Sequence, residues 1–231
     1  MTDANPIQDA VILFDVDNTL LDNDAVQQDL RDHLTQTFGA ERQERYWQIL
    51  EELRAELGYV DYLGALQRYR VEHQSDPHLL EISLYLVSYP FASRVYPGAL
   101  AAIQLAQSWG QVAILSDGDV VFQPHKVERS GLWRAVHGNV LIYIHKEQML
   151  ADVHERYPAE HYVMVDDKLH ILAAMKRAWG ANLTTVFPKQ GHYAYDTHIL
   201  ASSPPADIQI DAIGDLAAFD LNQLVSAASA P

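Results

Sequence analysis

Cysteine is absent from the 231-residue chain. That excludes disulfides, thiolate metal sites and a cysteine nucleophile. Positive charge is scarce, with 16 Lys+Arg against 31 Asp+Glu and a formal net charge of −15. Binding of duplex nucleic acid rests on cationic contacts with phosphate, so no nucleic-acid partner is expected. An anionic lipid surface would repel the chain as well. Long apolar runs are missing too, and none approaches the roughly 18 residues of a membrane span. Met1–Ala10 is polar and acidic, without the basic and apolar stretches of a signal peptide. A cytoplasmic protein with no membrane partner is the expectation. Internal repeats are also lacking. Hydrophobic residues make up 48 % and charged residues 20 %, a globular balance that argues against disorder.

Short apolar runs recur along the chain. They are Ala10–Phe14, Gln111–Ser116, Asn139–Ile144, His161–Asp166, Leu183–Phe187 and Ile208–Ile213. Continuous runs of this length read as strands buried on both faces, as in parallel sheets. Helical patterns lie between them at Pro97–Trp109, Glu147–Tyr157 and Lys168–Trp179, with Gly110, Pro158 and Gly180 as stops. The alternation predicts an α/β fold with a doubly wound parallel sheet, whose ligands bind beyond the carboxyl ends of the strands.

Residues 22–93 break this rhythm. They are rich in Glu, Gln, Arg and Leu, with helical spacing at Phe38, Tyr46, Leu50, Leu53 and Leu57 and no strand pattern. We expect a small helical domain of about four helices, broken near Gly58 and Asp76-Pro77. It is inserted into a core domain formed by residues 1–21 and 94–231, with a hinge near 20–24 and 90–96. The Ala/Ser-rich end, Ser226–Pro231, is expected to fray.

The strand ends carry the chemistry. Asp15-Val-Asp17-Asn18-Thr19-Leu20 follows the first strand. Two carboxylates that converge where a strand turns can bind a hard cation such as Mg²⁺; the plain alternative is a solvated turn built from Asp, Asn and Thr. Ser116-Asp117-Gly118 ends the second strand, where a hydroxyl and free backbone N–H groups can hold a phosphate oxygen. Lys146 follows the third, and Asp166-Asp167 end the fourth. Four carboxylates in one crevice would repel each other and an arriving phosphate. A divalent cation is therefore expected, because Lys146 alone would not neutralise them.

In this order the residues resemble the motifs of the haloacid dehalogenase-like hydrolase superfamily. Its first motif is Asp-x-Asp-x-Thr, followed by a Ser or Thr, a Lys and an acidic pair. These correspond here to Asp15/Asp17/Thr19, Ser116, Lys146 and Asp166/Asp167. The resemblance spans the whole chain and implies a Rossmann-like core with a helical C1-type cap. It implies Asp15 as nucleophile, forming an aspartyl-phosphate. Asp17 would be general acid and base, with its backbone carbonyl facing the metal. Ser116, Asp117 and Lys146 would hold phosphate, and Asp15, Asp17, Asp166 and Asp167 would hold Mg²⁺. The fourth motif departs from the family pattern, with Val165 in place of Gly and His170 in place of a second Asp.

Lys126 competes with Lys146 for the third motif, but it reads as a helix residue after Ser116, whereas Lys146 sits just past a strand. The eleven His show no zinc-ligand spacing, and His145 reads as a loop residue. Arg42, Arg45, Arg54, Arg68, Arg70 and Arg94 could reach an anionic part of a substrate, although most cap charges read as a solvated face. Pro188–Tyr193 reads as a plain connection. The function implied is a Mg²⁺-dependent phosphatase acting on a small phosphorylated metabolite. Alternatives are a phosphomutase or phosphotransferase, a dehalogenase, and a non-catalytic phospho-acceptor. Asp17 argues against the dehalogenase, because that branch lacks an acid at this position.

Overall fold

The computed structural model describes residues 10–228. Residues 1–9 and 229–231 lie outside the described residues, and with them the readings of the N-terminal stretch and of the last three residues. Six strands form the sheet: β1 (Ala10–Phe14), β2 (Gln111–Asp117), β3 (Val140–Tyr143), β4 (His161–Val165), β5 (Leu183–Pro188) and β6 (Ile208–Ile210). Their spatial order is β3-β2-β1-β4-β5-β6, and every pairing is parallel. Phe14 pairs with Ile114 on one side and Val165 on the other. The ends of β1, β2 and β4 therefore come level with one another. The order reverses between β1 and β4, which is where such sheets leave a crevice.

Alternation along the strands explains the layers. Ile12 and Phe14 face one apolar core with Ile114, Val163 and Val165. Val11 and Leu13 face a second core with Ala113, Leu115 and Met164. Full burial of such a side chain is worth about 1.5–3 kcal/mol, and all five residues of β1 are buried. Helices α1 (Asn23–Phe38), α2 (Ala40–Leu57), α3 (Tyr62–Glu72) and α4 (Leu79–Ser88) fill the expected insertion. The others are α5 (Ala99–Ala106), α6 (Phe122–Arg129), α7 (Leu132–Ala135), α8 (Leu150–Arg156), α9 (Leu169–Trp179), α10 (Thr197–Ala201) and α11 (Leu221–Ala227). No helix among the described residues is long and apolar enough to cross a membrane.

Local chemistry sets the helix ends. The Asp22 carboxylate accepts the Ala25 N–H at 2.9 Å and starts α1, and Asp61 does the same for α3 through Gly64 at 2.7 Å. Such caps are worth about 1 kcal/mol each. Gly58 ends α2 in the left-handed region at φ 85. The fifth helix starts at Ala99 rather than Pro97, because Gly98 turns first at φ 84 and lies against Gly214, where a Cβ would meet the Gly214 Cα at 2.7 Å. The pattern expected over Glu147–Tyr157 divides into a 3₁₀ turn at Lys146–Gln148 and α8. The last strand stops at Ile210, short of Ile213. Against the expected fraying from Ser226, α11 continues to Ala227.

The chain enters and leaves the helical insertion along one seam. Leu21 bridges Val95 antiparallel, Asp22 N–H donates to the Arg94 carbonyl at 2.8 Å, and Tyr96 N–H donates to Leu20 at 2.9 Å. Arg94 and the Tyr89 hydroxyl both bond the Asp29 carboxylate, which ties α1 to the returning strand of chain.

His161 gives the fold a dependence on acid. Its ring is buried in β4, and Nε2 lies 2.8 Å from Thr184 Oγ1. The single Thr184 hydroxyl proton goes to the Leu224 carbonyl at 2.8 Å, so Nε2 is the donor. Burial, with Lys176 nearby, pushes the His161 pKa down from 6.5 to about 4. The folded state therefore binds this proton less readily than the unfolded chain. The stabilisation is complete above pH 6.5 and is lost as pH falls towards 4. Denaturant titrations of wild type and His161→Gln at pH 7 and pH 4.5 should show the wild-type advantage shrinking by roughly 2–3 kcal/mol. An unchanged difference would show that His161 is not held neutral.

Candidate active site

The turn after β1 is held in shape by the side chains of Asn18 and Thr19. Asn18 takes φ 58, a conformation Asn tolerates better than most residues. Its Oδ1 accepts the N–H groups of Asn23 at 3.0 Å and Asp24 at 3.1 Å, and so clamps the start of α1. Thr19 is buried, and its Oγ1 accepts the Asp167 N–H at 3.0 Å. That bond joins the first and fourth motifs across the sheet.

Asp15, Ser116, Lys146, Asp166 and Asp167 are all buried and converge at the strand ends. Lys146 Nζ lies 2.6 Å from Asp15 Oδ1 and 2.6 Å from Asp166 Oδ2. It also donates to the Leu115 carbonyl at 3.3 Å. Ser116 Oγ donates to Asp15 Oδ1 at 3.1 Å. One Asp15 oxygen thus carries two donors, while Oδ2 is buried with no hydrogen-bond partner. Both oxygens of Asp167 are likewise buried and unpartnered. Among the described residues, Asp15, Asp166 and Asp167 can each bring one carboxylate oxygen within 4.8 Å of the other two. An all-oxygen set with orphaned lone pairs fits a hard divalent cation, because a buried carboxylate oxygen left without a partner is costly.

The electrostatics follow from this crowding. Burial pushes Asp15 up, but the Lys146 ammonium, with Lys168 behind it, more than reverses this, and the carboxyl ends below its ordinary range. Burial prevails at Asp166, and more strongly at Asp167, so both lie above the usual carboxylate range despite the nearby lysines. Burial alone would lower Lys146, but Asp15 and Asp166 hold it well above an ordinary lysine. Lys168 is raised in the same way by Asp15 and Asp167.

Asp17 stands apart from the three clustered carboxylates. Its Oδ1 accepts from Lys126 Nζ at 2.7 Å, and Oδ2 lies 3.4 Å from Gln123 Nε2. Lys126 is only 2 % exposed and also donates to Asn23 Oδ1 at 3.0 Å. So Lys126, weighed in the sequence as a rival of Lys146, meets a different carboxylate from the same crevice. Asp117 turns its carboxylate to the Lys146 N–H at 2.7 Å. The Gly118 N–H, expected to be free for phosphate, is committed to the Tyr143 carbonyl at 2.9 Å because β2 runs one residue further than its apolar run.

The sequence reading missed several groups. Gln123 donates to Ser116 Oγ at 3.1 Å. It shares one face of α6 by i,i+3 spacing with Lys126, already named in the sequence, which is the signal that could have found it. Lys168 borders a cavity of about 80 Å³ with Asp17, Tyr59, Tyr62, Gln123 and Lys126. The segment Pro188–Tyr193, read as a plain connection that could border the site, packs on it. Gln190 donates to the Thr19 carbonyl at 3.2 Å. The Lys168 ammonium stands over the Tyr193 ring at 5.9 Å, and Arg54 of α2 donates to the Tyr193 hydroxyl at 3.1 Å. Of the other arginines named in the sequence, Arg42, Arg45 and Arg68 pair with carboxylates of the insertion, and Arg94, just beyond it, pairs with Asp29 of α1.

The family model of the haloacid dehalogenase-like hydrolases matches residues 10–178, a span that contains every residue of this cluster. The chain belongs to the haloacid dehalogenase-like hydrolases. A crystal structure from Burkholderia xenovorans LB400, named as a haloacid dehalogenase-like hydrolase, is 63 % identical with a TM-score of 0.88, covering 94 % of this chain and 98 % of that one. Two distant structures share the fold of this haloacid dehalogenase-like hydrolase. L-2-haloacid dehalogenase of Xanthobacter autotrophicus, with chloropropionic acid covalently bound, is 17 % identical with a TM-score of 0.58, covering 89 % of this chain and 96 % of that one. The magnesium-bound HAD-hydrolase YfnB of Bacillus subtilis is 16 % identical with a TM-score of 0.58, covering 90 % and 96 %. No curated protein matches the sequence.

Proposed function

We propose that this haloacid dehalogenase-like hydrolase is a Mg²⁺-dependent phosphomonoester hydrolase acting on a small phosphorylated substrate, with the four-helix insertion as its cap. The observation that carries this reading is the cluster of Asp15, Asp166 and Asp167 with its buried, unpartnered oxygens, beside a second acid, Asp17, on the same turn. A halide leaves carbon without needing a proton, so dehalogenation would give Asp17 no acid role in the first step. A haloacid carboxylate would also meet three carboxylates. The magnesium-bound relative supports the reading of the cluster as a cation site, whereas the dehalogenase relatives favour the second reading, carbon–halogen cleavage.

In the first step an oxygen of Asp15 attacks phosphorus, and the bond from phosphorus to the leaving oxygen breaks. Asp17 gives its proton to that oxygen. Water then attacks the phosphorus of the aspartyl-phosphate, the bond from phosphorus to Asp15 breaks to free the carboxylate and release phosphate, and Asp17 takes a proton from the water. Asp15, Asp166 and Asp167 would hold Mg²⁺, together with the Asp17 backbone carbonyl. When bound, the ion neutralises the carboxylates and the charge of the transferring group. Ser116 and Lys146 donate to phosphoryl oxygens. Tyr59 and Tyr62, at the junction of α2 and α3, limit water access from the cap side.

Phosphate release from a panel of phosphomonoesters, and halide release from 2-chloropropionate, decide between the readings. The expected result is phosphate release with Mg²⁺ that EDTA abolishes, and no halide. Substantial activity in EDTA would remove the metal from the reading, and halide release would replace it with the second.

On this reading Lys126 is a positioning residue for Asp17. Lys126→Met should lower kcat about 10- to 100-fold, because a misplaced acid loses that much, while KM moves little. Lys126→Arg should recover part of the rate. A loss confined to KM would place Lys126 on the substrate instead.

A further inference from the structure

The largest opening beside the site is a groove of about 510 Å³ along the ends of β2 and β3. Its walls are mostly apolar, with Tyr59, Val120, Ile142, Tyr143, Ile144 and Met149 among them. Three of these are exposed to an unusual degree for their type: Val120 at 87 %, Ile144 at 50 % and Met149 at 38 %. Contiguous exposed apolar surface marks a binding site more often than chance. The groove is continuous with the small cavity beside Asp17, since Tyr59, Gly118 and Asp119 line both. Its closed side is fixed by close contact between insertion and core. A Cβ on Gly58 would meet His145 Nε2 at 3.0 Å and Ile144 Cγ2 at 3.5 Å.

The charge of the lining narrows what can lie there. No Lys or Arg lines the groove. Its one carboxylate, Asp119, accepts the N–H groups of Val121 at 2.8 Å and Phe122 at 2.6 Å, and so is committed to starting α6. An anionic group would find no cation here and a carboxylate at the rim. His145 and Gln148 are the remaining polar side chains.

We infer that the groove receives an uncharged, apolar leaving group, so that the substrate class is a phosphomonoester of an apolar alcohol rather than of a sugar acid or a bisphosphate. This rests on the phosphatase reading above. With phosphorus at Asp15 and the leaving oxygen facing Asp17, the rest of the alcohol passes Tyr59 and Gly118 into the groove.

The test is hydrolysis of ethyl, butyl and hexyl phosphate, with 5-carboxypentyl phosphate as the charged counterpart, by the full chain with Mg²⁺. These alcohols leave with similar intrinsic difficulty, so differences report binding. From ethyl to hexyl, kcat/KM should rise at least ~10-fold, and the terminal carboxylate should lower it at least ~10-fold. Ile144→Asp and Val120→Asp, both at exposed positions, should each reduce the hexyl-to-ethyl ratio several-fold. A flat series, a preference for the carboxylate ester, or a ratio unmoved in both variants overturns the groove assignment and leaves the phosphatase standing. If none of the four is hydrolysed while other phosphomonoesters are, the groove assignment falls alone; if no phosphomonoester is hydrolysed, the phosphatase reading falls and takes the leaving group with it.

Discussion

Lys146→Met should destabilise the fold by about 3–5 kcal/mol at neutral pH. The Lys146 side chain is 0 % exposed, and its ammonium holds Asp15 and Asp166, each at 2.6 Å. Met fills nearly the same volume, so little packing is lost. What changes is charge. Asp15, Asp166 and Asp167 would remain buried with Lys168 as the nearest cation, and an uncompensated buried charge costs far more than a surface one. A double-mutant cycle separates charge from packing. Adding Asp166→Asn to Lys146→Met should recover about 1–2 kcal/mol, whereas a packing defect would leave the two changes additive. Urea denaturation without divalent ions gives both numbers. A single-mutant loss below 1 kcal/mol would mean that water or rearrangement already neutralises the cluster.

Much of this arrangement was legible in the sequence because it is written in short segments. Six apolar runs mark six strands, since a strand buried on both faces must be apolar throughout. The four helices α1–α4 after β1 were legible because helical spacing without β patterning persists from residue 22 to 93. Asp15, Ser116, Lys146 and Asp166 were legible because each ends or follows a run, and a parallel sheet brings all such ends to one edge. The pairing of Lys126 with Asp17 was not legible for a different reason. The two are 109 positions apart, and nothing in a helix names a distant carboxylate. The segment Pro188–Tyr193 carries no periodicity at all. Its role at the site appears through Gln190, His192 and Tyr193, whose partners lie on the first turn, on α1 and α2 and at Lys168 just before α9. The apolar groove has the same origin. Val120 and Met149 lie in loops, where apolar residues have no pattern to betray them, and Ile144, the last residue of an apolar run, lies just past the end of β3.

The largest effect on activity is expected at Asp15. Asp15→Asn removes the nucleophile while keeping its shape, and should lower phosphate release at least ~10³-fold. The variant should still fold, because Lys146 keeps Asp166 as its ion-pair partner and one buried charge is removed from a crowded cluster. Asp17→Asn should differ in kind. With p-nitrophenyl phosphate the leaving group needs no proton, so the first step survives. Water activation is lost, and the second step slows by ~10²–10⁴. A pre-steady-state experiment on the Asp17→Asn chain with Mg²⁺ and excess p-nitrophenyl phosphate should therefore give a burst of nitrophenol close to one equivalent of enzyme, followed by slow release. Asp15→Asn should give no burst. Equal residual rates without a burst in either variant would mean that Asp15 and Asp17 do not divide the two steps between them. A burst in Asp15→Asn would place the covalent bond on another residue.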